Sequence, residues 1–67
     1  MMESFELAMK RLLRARERVI EDTMKAVEMG HLRVFNLSFT TYASIDALIA
    51  QTIEDAAFAL MHPEEEE

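Results

Sequence analysis

The chain contains no cysteine and no tryptophan, one glycine, one proline and, beyond residue 33, no basic residue. Each shortage narrows what these 67 residues can be. Without cysteine there is no disulfide framework, and the redox compartment is left open with a lean towards the cytoplasm. With two histidines far apart in sequence, His31 and His62, the roughly four clustered ligands of a structural zinc site are not supplied. No apolar run approaches the ~20 residues that span a bilayer, and the N-terminus lacks a signal-peptide pattern. A cytoplasmic chain without membrane contact, metal or cofactor is therefore expected. With so little glycine and proline, long uninterrupted helices are possible, and the 51% hydrophobic content is too high for a disordered chain. A monomer of this length buries only ~60% of the surface its unfolded chain exposes. Self-association is the remaining aid to stability, and a homodimer is expected.

Residues 3–29 read as one helix, with Ser4 as N-cap and Gly30 where a left-handed C-cap belongs. Its apolar residues form two adjacent stripes. One is Ala8, Leu12, Ala15, Val19, Ala26, Met29; the other is Phe5, Met9, Leu13, Ile20, Met24, Val27. Together they are wider than one coiled-coil seam, so the helix is suited to two neighbours. A second helix is clearest over about 38–61 and stops before Pro63. Phe39, Tyr42, Ile45, Ile49, Ile53, Ala56 and Leu60 recur along it at spacings of three and four. The segment VFNLSFT (34–40) reads two ways. Phe35, Leu37 and Phe39 alternate with polar residues as in a strand, yet Phe35, Phe39 and Tyr42 also continue the helical stripe. A helix start somewhere between 33 and 40 is favoured, with a short extended segment near 34–39 as the alternative. The expected architecture is all-α: a single domain over 1–62, folded as a two-helix antiparallel hairpin and homodimerising into a four-helix bundle, with an acidic tail at 63–67.

Charge is divided along the chain. Residues 1–33 hold all seven bases against six acids, a net of +1, and residues 34–67 hold seven acids and no base, a net of −7. Four of the bases fall in RLLRARER (11–18). Helical spacing sets Arg11, Arg14, Arg18 and Lys25 along one line, a candidate docking surface. Glu6–Lys10, Glu21–Lys25, Arg18–Asp22 and Arg14–Glu17 have the spacing of helix ion pairs. Arg16 differs, because its neighbours three and four away are Leu12, Leu13, Val19 and Ile20. Asp46 is equally isolated among Tyr42, Ala43, Ile49 and Ala50. A hairpin turning near residue 31 places positions 16 and 46 opposite one another. An Arg16–Asp46 ion pair is thus expected, within one hairpin or between subunits, with register as its role.

Signals of catalysis are weak. No nucleophilic cysteine, glycine-rich phosphate loop or Ser–His–Asp arrangement is present. Glu54 and Asp55 are adjacent, so their side chains diverge by ~100° on a helix. His31 is expected to cap the carbonyls of the first helix, and His62 to favour the end of the second. The segment SIDALI (44–49) is similar to the Leu-Asp-x-Leu-Ile stretch of small sporulation-regulator aspartyl-phosphate phosphatases. The resemblance spans six residues and implies phosphatase activity, but Tyr42 stands where that family has a serine. The hairpin layout also resembles small plasmid copy-number proteins that bind paired RNA loops as dimers. That resemblance implies nucleic-acid binding through residues 10–25, which carry six bases and three acids. Against it stand the net charge of −6 and the lack of aromatic residues among the bases.

The reading that fits best is a non-enzymatic, acidic, dimeric protein-interaction module. It would act as an inhibitor or adaptor of a host or regulatory protein such as a transcription regulator, in the manner of phage- and plasmid-encoded anti-activators. Candidate partner-binding residues are Arg11, Arg14, Arg18, Lys25 and Tyr42.

Overall fold

The computed structural model describes residues 4–62. It holds two helices, α1 (Phe5–Met29) and α2 (Leu32–Met61), packed against each other as a hairpin. At 1.5 Å per residue they are ~37 and ~45 Å long. Ser4 caps α1 from extended backbone, its Oγ accepting the Leu7 N–H at 3.2 Å. Glu6 lies in the first turn, where a carboxylate complements the helix dipole.

Only Gly30 and His31 separate the helices. Gly30 adopts φ 70° and ψ 25°, the left-handed conformation that L side chains resist. Its N–H donates to the Val27 carbonyl at 3.2 Å, and the His31 N–H donates to the Ala26 carbonyl at 2.9 Å. Together these bonds close the end of α1 as a Schellman motif. The cap that His31 was expected to give the carbonyls of α1 is made by its backbone N–H. The His31 carbonyl in turn accepts from Phe35 N at 2.9 Å, which starts α2 immediately.

Helix α2 accordingly begins at Leu32, not near residue 38, and the segment 34–39 is helical and not extended. Two local effects override the strand-like alternation. Phe35, Phe39 and Tyr42 stack along the helix, with ring centroids 5.9 and 6.4 Å apart. The hydroxyls of Thr40, Thr41 and Ser44 donate to the carbonyls of Asn36, Leu37 and Thr40 at 2.9–3.1 Å, so they are satisfied within the helix itself. A strand here would also have had no second strand to pair with among the described residues. At the far end, the His62 N–H donates to the Phe58 carbonyl at 2.9 Å and its ring lies 4.3 Å from that of Phe58. The acidic tail, 63–67, and the first residue expected in α1, Glu3, lie outside the described residues.

The seam between the helices follows a seven-residue repeat. On α1 the residues turned inward are Met9, Leu12, Arg16, Val19, Thr23 and Ala26, alternating steps of three and four, with Ala8 beside them. On α2 the matching series is Phe35, Ser38, Tyr42, Ile45, Ile49, Thr52, Ala56 and Ala59. Only Ala26, at 3% exposure, is fully buried among the described residues; the rest of the seam is half-buried. The apolar face expected of α2 is rotated as a result. Phe39, Ile53 and Leu60 remain 55%, 48% and 83% exposed, while Ser38, Thr52 and Ala59 occupy the seam. A seam between two long helices must recur every 3.5 residues, so it selects the seven-residue series over the broader stripe.

Because Gly30 meets nothing within 4 Å of an added Cβ, its φ alone governs substitution. Gly30→Ala is expected to lower stability by about 1 kcal/mol through left-handed strain, measured as a lower midpoint in urea followed by circular dichroism. An unchanged midpoint would mean that the turn relaxes into another conformation.

Candidate functional site

Three surfaces stand out: a polar contact within the seam, an apolar flank beside it, and a basic strip on the back of α1. The polar contact centres on Arg16, which the seam repeat turns towards α2. Its Nη2 donates to the Tyr42 hydroxyl at 3.3 Å, and its guanidinium carbon lies 5.5 Å from the Tyr42 ring centroid. Its Nε lies 3.2 Å from Asp46 Oδ1 within the same hairpin, but is not aligned for a hydrogen bond, so that contact is an ion pair alone. Bonding to the Tyr42 hydroxyl first, and the charge of Asp46 after it, push the Arg16 guanidinium above its already high pKa. It is a cation at every accessible pH. The two side chains are 37% and 48% exposed, so the pair is screened and contributes little to the stability of a single hairpin. Tyr42, a candidate for contact with a foreign partner, is half-buried and engaged by Arg16.

The apolar flank lies to one side of the seam. On α2 the residues following Ser38, Ile45, Thr52 and Ala59 are Phe39, Asp46, Ile53 and Leu60, and Leu32 continues this row seven residues before Phe39. Each is exposed. Ala43, Ala50 and Ala57 run alongside them, one turn apart from these positions, and are also exposed. On α1 the corresponding residues are Leu13, Ile20 and Val27, with Met24 adjacent. In an antiparallel pair these two rows fall on the same side. Ile20, Met24 and Phe39 accordingly line one shallow groove with Thr23 and Tyr42, and Val27 and Leu32 share another beside Ala26 and Phe35. Most of the second stripe expected on α1 is therefore uncovered. Asp46 is the sole charged residue in the α2 row, held there by Arg16.

The basic strip comprises Lys10, Arg11, Arg14 and Arg18, which surround Leu7 and Ala15 in an open concavity of about 340 Å³. It faces away from the seam. None of the four helix ion pairs anticipated from spacing is closed among the described residues, so Lys10, Arg14 and Arg18 present their charge to solvent. Lys25 is exposed two turns further along and does not line the concavity. The strip offers its cations to an acidic segment or a phosphate backbone. No group of three or more His, Cys, Asp or Glu side chains placed to hold a metal ion occurs among the described residues. No described helix is long and apolar enough to cross a membrane.

Compared with protein-family models, curated proteins and solved structures, the chain matches none. The reading of the surfaces therefore rests on their geometry and chemistry.

The apolar flank carried one signal in sequence that stripe-by-stripe reading missed. Once the seam is traced as Phe35, Ser38, Tyr42, Ile45, the neighbouring row of residues seven apart becomes visible as a second face. Since Arg14 and Arg18 hold no ion pair among the described residues, Arg14→Gln with Arg18→Gln is expected to shift stability by no more than about 0.5 kcal/mol. Thermal unfolding by circular dichroism tests this, and a large loss would place these arginines in the fold instead of at its surface.

Proposed function

We propose that this protein is a non-enzymatic protein-interaction module that works as a homodimeric four-helix bundle and acts on a second protein as an inhibitor or adaptor. The observation that carries the reading is that α2 exposes large apolar residues on both sides of the seam. On the first side, Phe39, Ile53 and Leu60 continue onto Ile20, Met24 and Val27 of α1, making a face two helices wide. A second hairpin offers the same width. A single hairpin with one fully buried residue among those described has little to hold it together.

On the second side, Val34, Leu37, Leu48 and Phe58 are exposed on α2 among Thr41, Ser44, Gln51 and Asp55. Apolar residues set among neutral polar and acidic ones suit a protein surface and repel a phosphate backbone. A basic partner, such as a regulator that itself binds nucleic acid, is favoured by the acidic balance of this half of the chain. The step to a transcription regulator in particular is by analogy with small phage and plasmid anti-activators. The basic strip of α1 supports a second reading, a dimeric helical-hairpin regulator that binds RNA or DNA. In that case the four cations around Leu7 and Ala15 would be the contact.

Two substitutions separate the parts of this proposal. Phe39→Glu with Ile53→Glu is expected to convert the dimer to monomer in sedimentation equilibrium, with a large loss of helicity; a wild-type chain that sediments as a monomer would remove the dimer altogether. Leu48→Glu with Phe58→Glu is expected to leave the dimer intact and to abolish capture of a stoichiometric protein from nuclease-treated lysate. If instead nucleic acid is recovered from untreated lysate, no protein persists after nuclease, and Arg14→Glu with Arg18→Glu abolishes the recovery, the nucleic-acid reading replaces the first.

A further inference from the structure

We infer that the second copy is seated antiparallel, α2 against α2, with the molecular twofold axis passing at the level of the Arg16–Asp46 pair. This deepens the self-association proposed above and rests on it. The exposed row on α2 is symmetric about Asp46: Phe39 and Ile53 stand seven residues to either side, and Leu32 and Leu60 fourteen. A twofold axis crossing α2 at Asp46 brings Phe39 level with Ile53 of the second copy and Leu32 level with its Leu60. Every large apolar residue of the row then meets another, and the small residues Ala43 and Ala50 near the axis let the helices approach. The same axis gathers two aspartates and two arginines into one layer of zero net charge, in which each carboxylate keeps the Arg16 it already holds at 3.2 Å.

Other arrangements leave charges uncompensated or apolar residues mismatched. Sliding one α2 by seven residues sets Asp46 against Phe39 or Ile53 of the second copy, so that a carboxylate is desolvated on an apolar side chain. Laying α2 over the second copy's α1, with 46 again level with 16, sets Ile53 near Glu6 and Lys10, because the flank of α1 is apolar only from Leu13 to Val27. The pair exposed in one hairpin thus has its use in the dimer: it marks the one register in which no charge is buried alone. Arg16 is a positioning residue in this sense, and so is Asp46.

Paired nitroxide labels test the arrangement, and the absence of native cysteine makes single-site labelling unambiguous. Ala47 and Arg33 lie on the outward face of α2, away from both the seam and the flank. In the antiparallel arrangement two labels at Ala47→Cys are separated only by the width of the bundle. Two labels at Arg33→Cys are displaced by ~40 Å along its axis, from 26 residues at 1.5 Å each. Similar distances at the two sites would overturn the α2-on-α2 arrangement while leaving the dimer standing. No dipolar coupling at either site, together with a monomeric mass, would remove the dimer itself. The role of the charged layer has its own readout. In Arg16→Met with Asp46→Leu, the distance at Arg33→Cys is expected to split or broaden by ~10 Å steps, one heptad slip each. A single sharp distance retained in that variant would overturn the role of the pair in register.

Discussion

Two long helices joined by two residues must meet along a line that returns every seven residues, and this constraint organises the molecule. It turns Arg16, Thr23, Ser38 and Thr52 inward although they are polar, and leaves Phe39, Ile53 and Leu60 outside although they are apolar. Part of the polar seam is bonded locally, although Arg16 Nε has no hydrogen-bond partner. The Thr23 and Thr52 hydroxyls donate to the carbonyls of Val19 and Leu48 at 2.8 Å, and Arg16 finds Tyr42 and Asp46. It remains thin, because small and polar residues take positions that larger apolar ones would otherwise fill. The apolar surface displaced from it collects on the flank.

The tight turn matters for the same reason. Gly30 in the left-handed conformation and the bond from His31 N–H to the Ala26 carbonyl end α1 within one residue, and α2 starts at once. With no slack between the helices, the register of the seam is set from the turn outward, Ala26 beside Phe35 first. Positions 16 and 46 are then carried to the same level. An ion pair that adds little stability by itself gains consequence from its place, alone in an otherwise apolar row.

Charge and apolar surface are distributed so that they do not compete. The strip of Lys10, Arg11, Arg14 and Arg18 lies on the back of α1, the shared flank lies to one side of the seam, and Leu48 and Phe58 lie to the other. The proposed dimer covers the flank and leaves the remaining two surfaces available to partners.

Much of this was legible in the residues themselves. The helical class, the glycine that ends α1, the placement of 16 opposite 46 and the outward line of Arg11, Arg14 and Arg18 all follow from spacing, because a helix converts sequence interval directly into direction. The start of α2 was not legible. Phe35, Leu37 and Phe39 fit either period; the chain takes the helical one, in which Phe35 and Phe39 stack and no second strand is needed. Nor could spacing alone say which of two adjacent stripes would be covered. Both stripes on α1 are apolar, and either could have met a neighbour. Only the packing of one helix on another, with its seven-residue period and its two-residue turn, decided that Leu12 and Val19 face inward while Leu13 and Ile20 wait beside them.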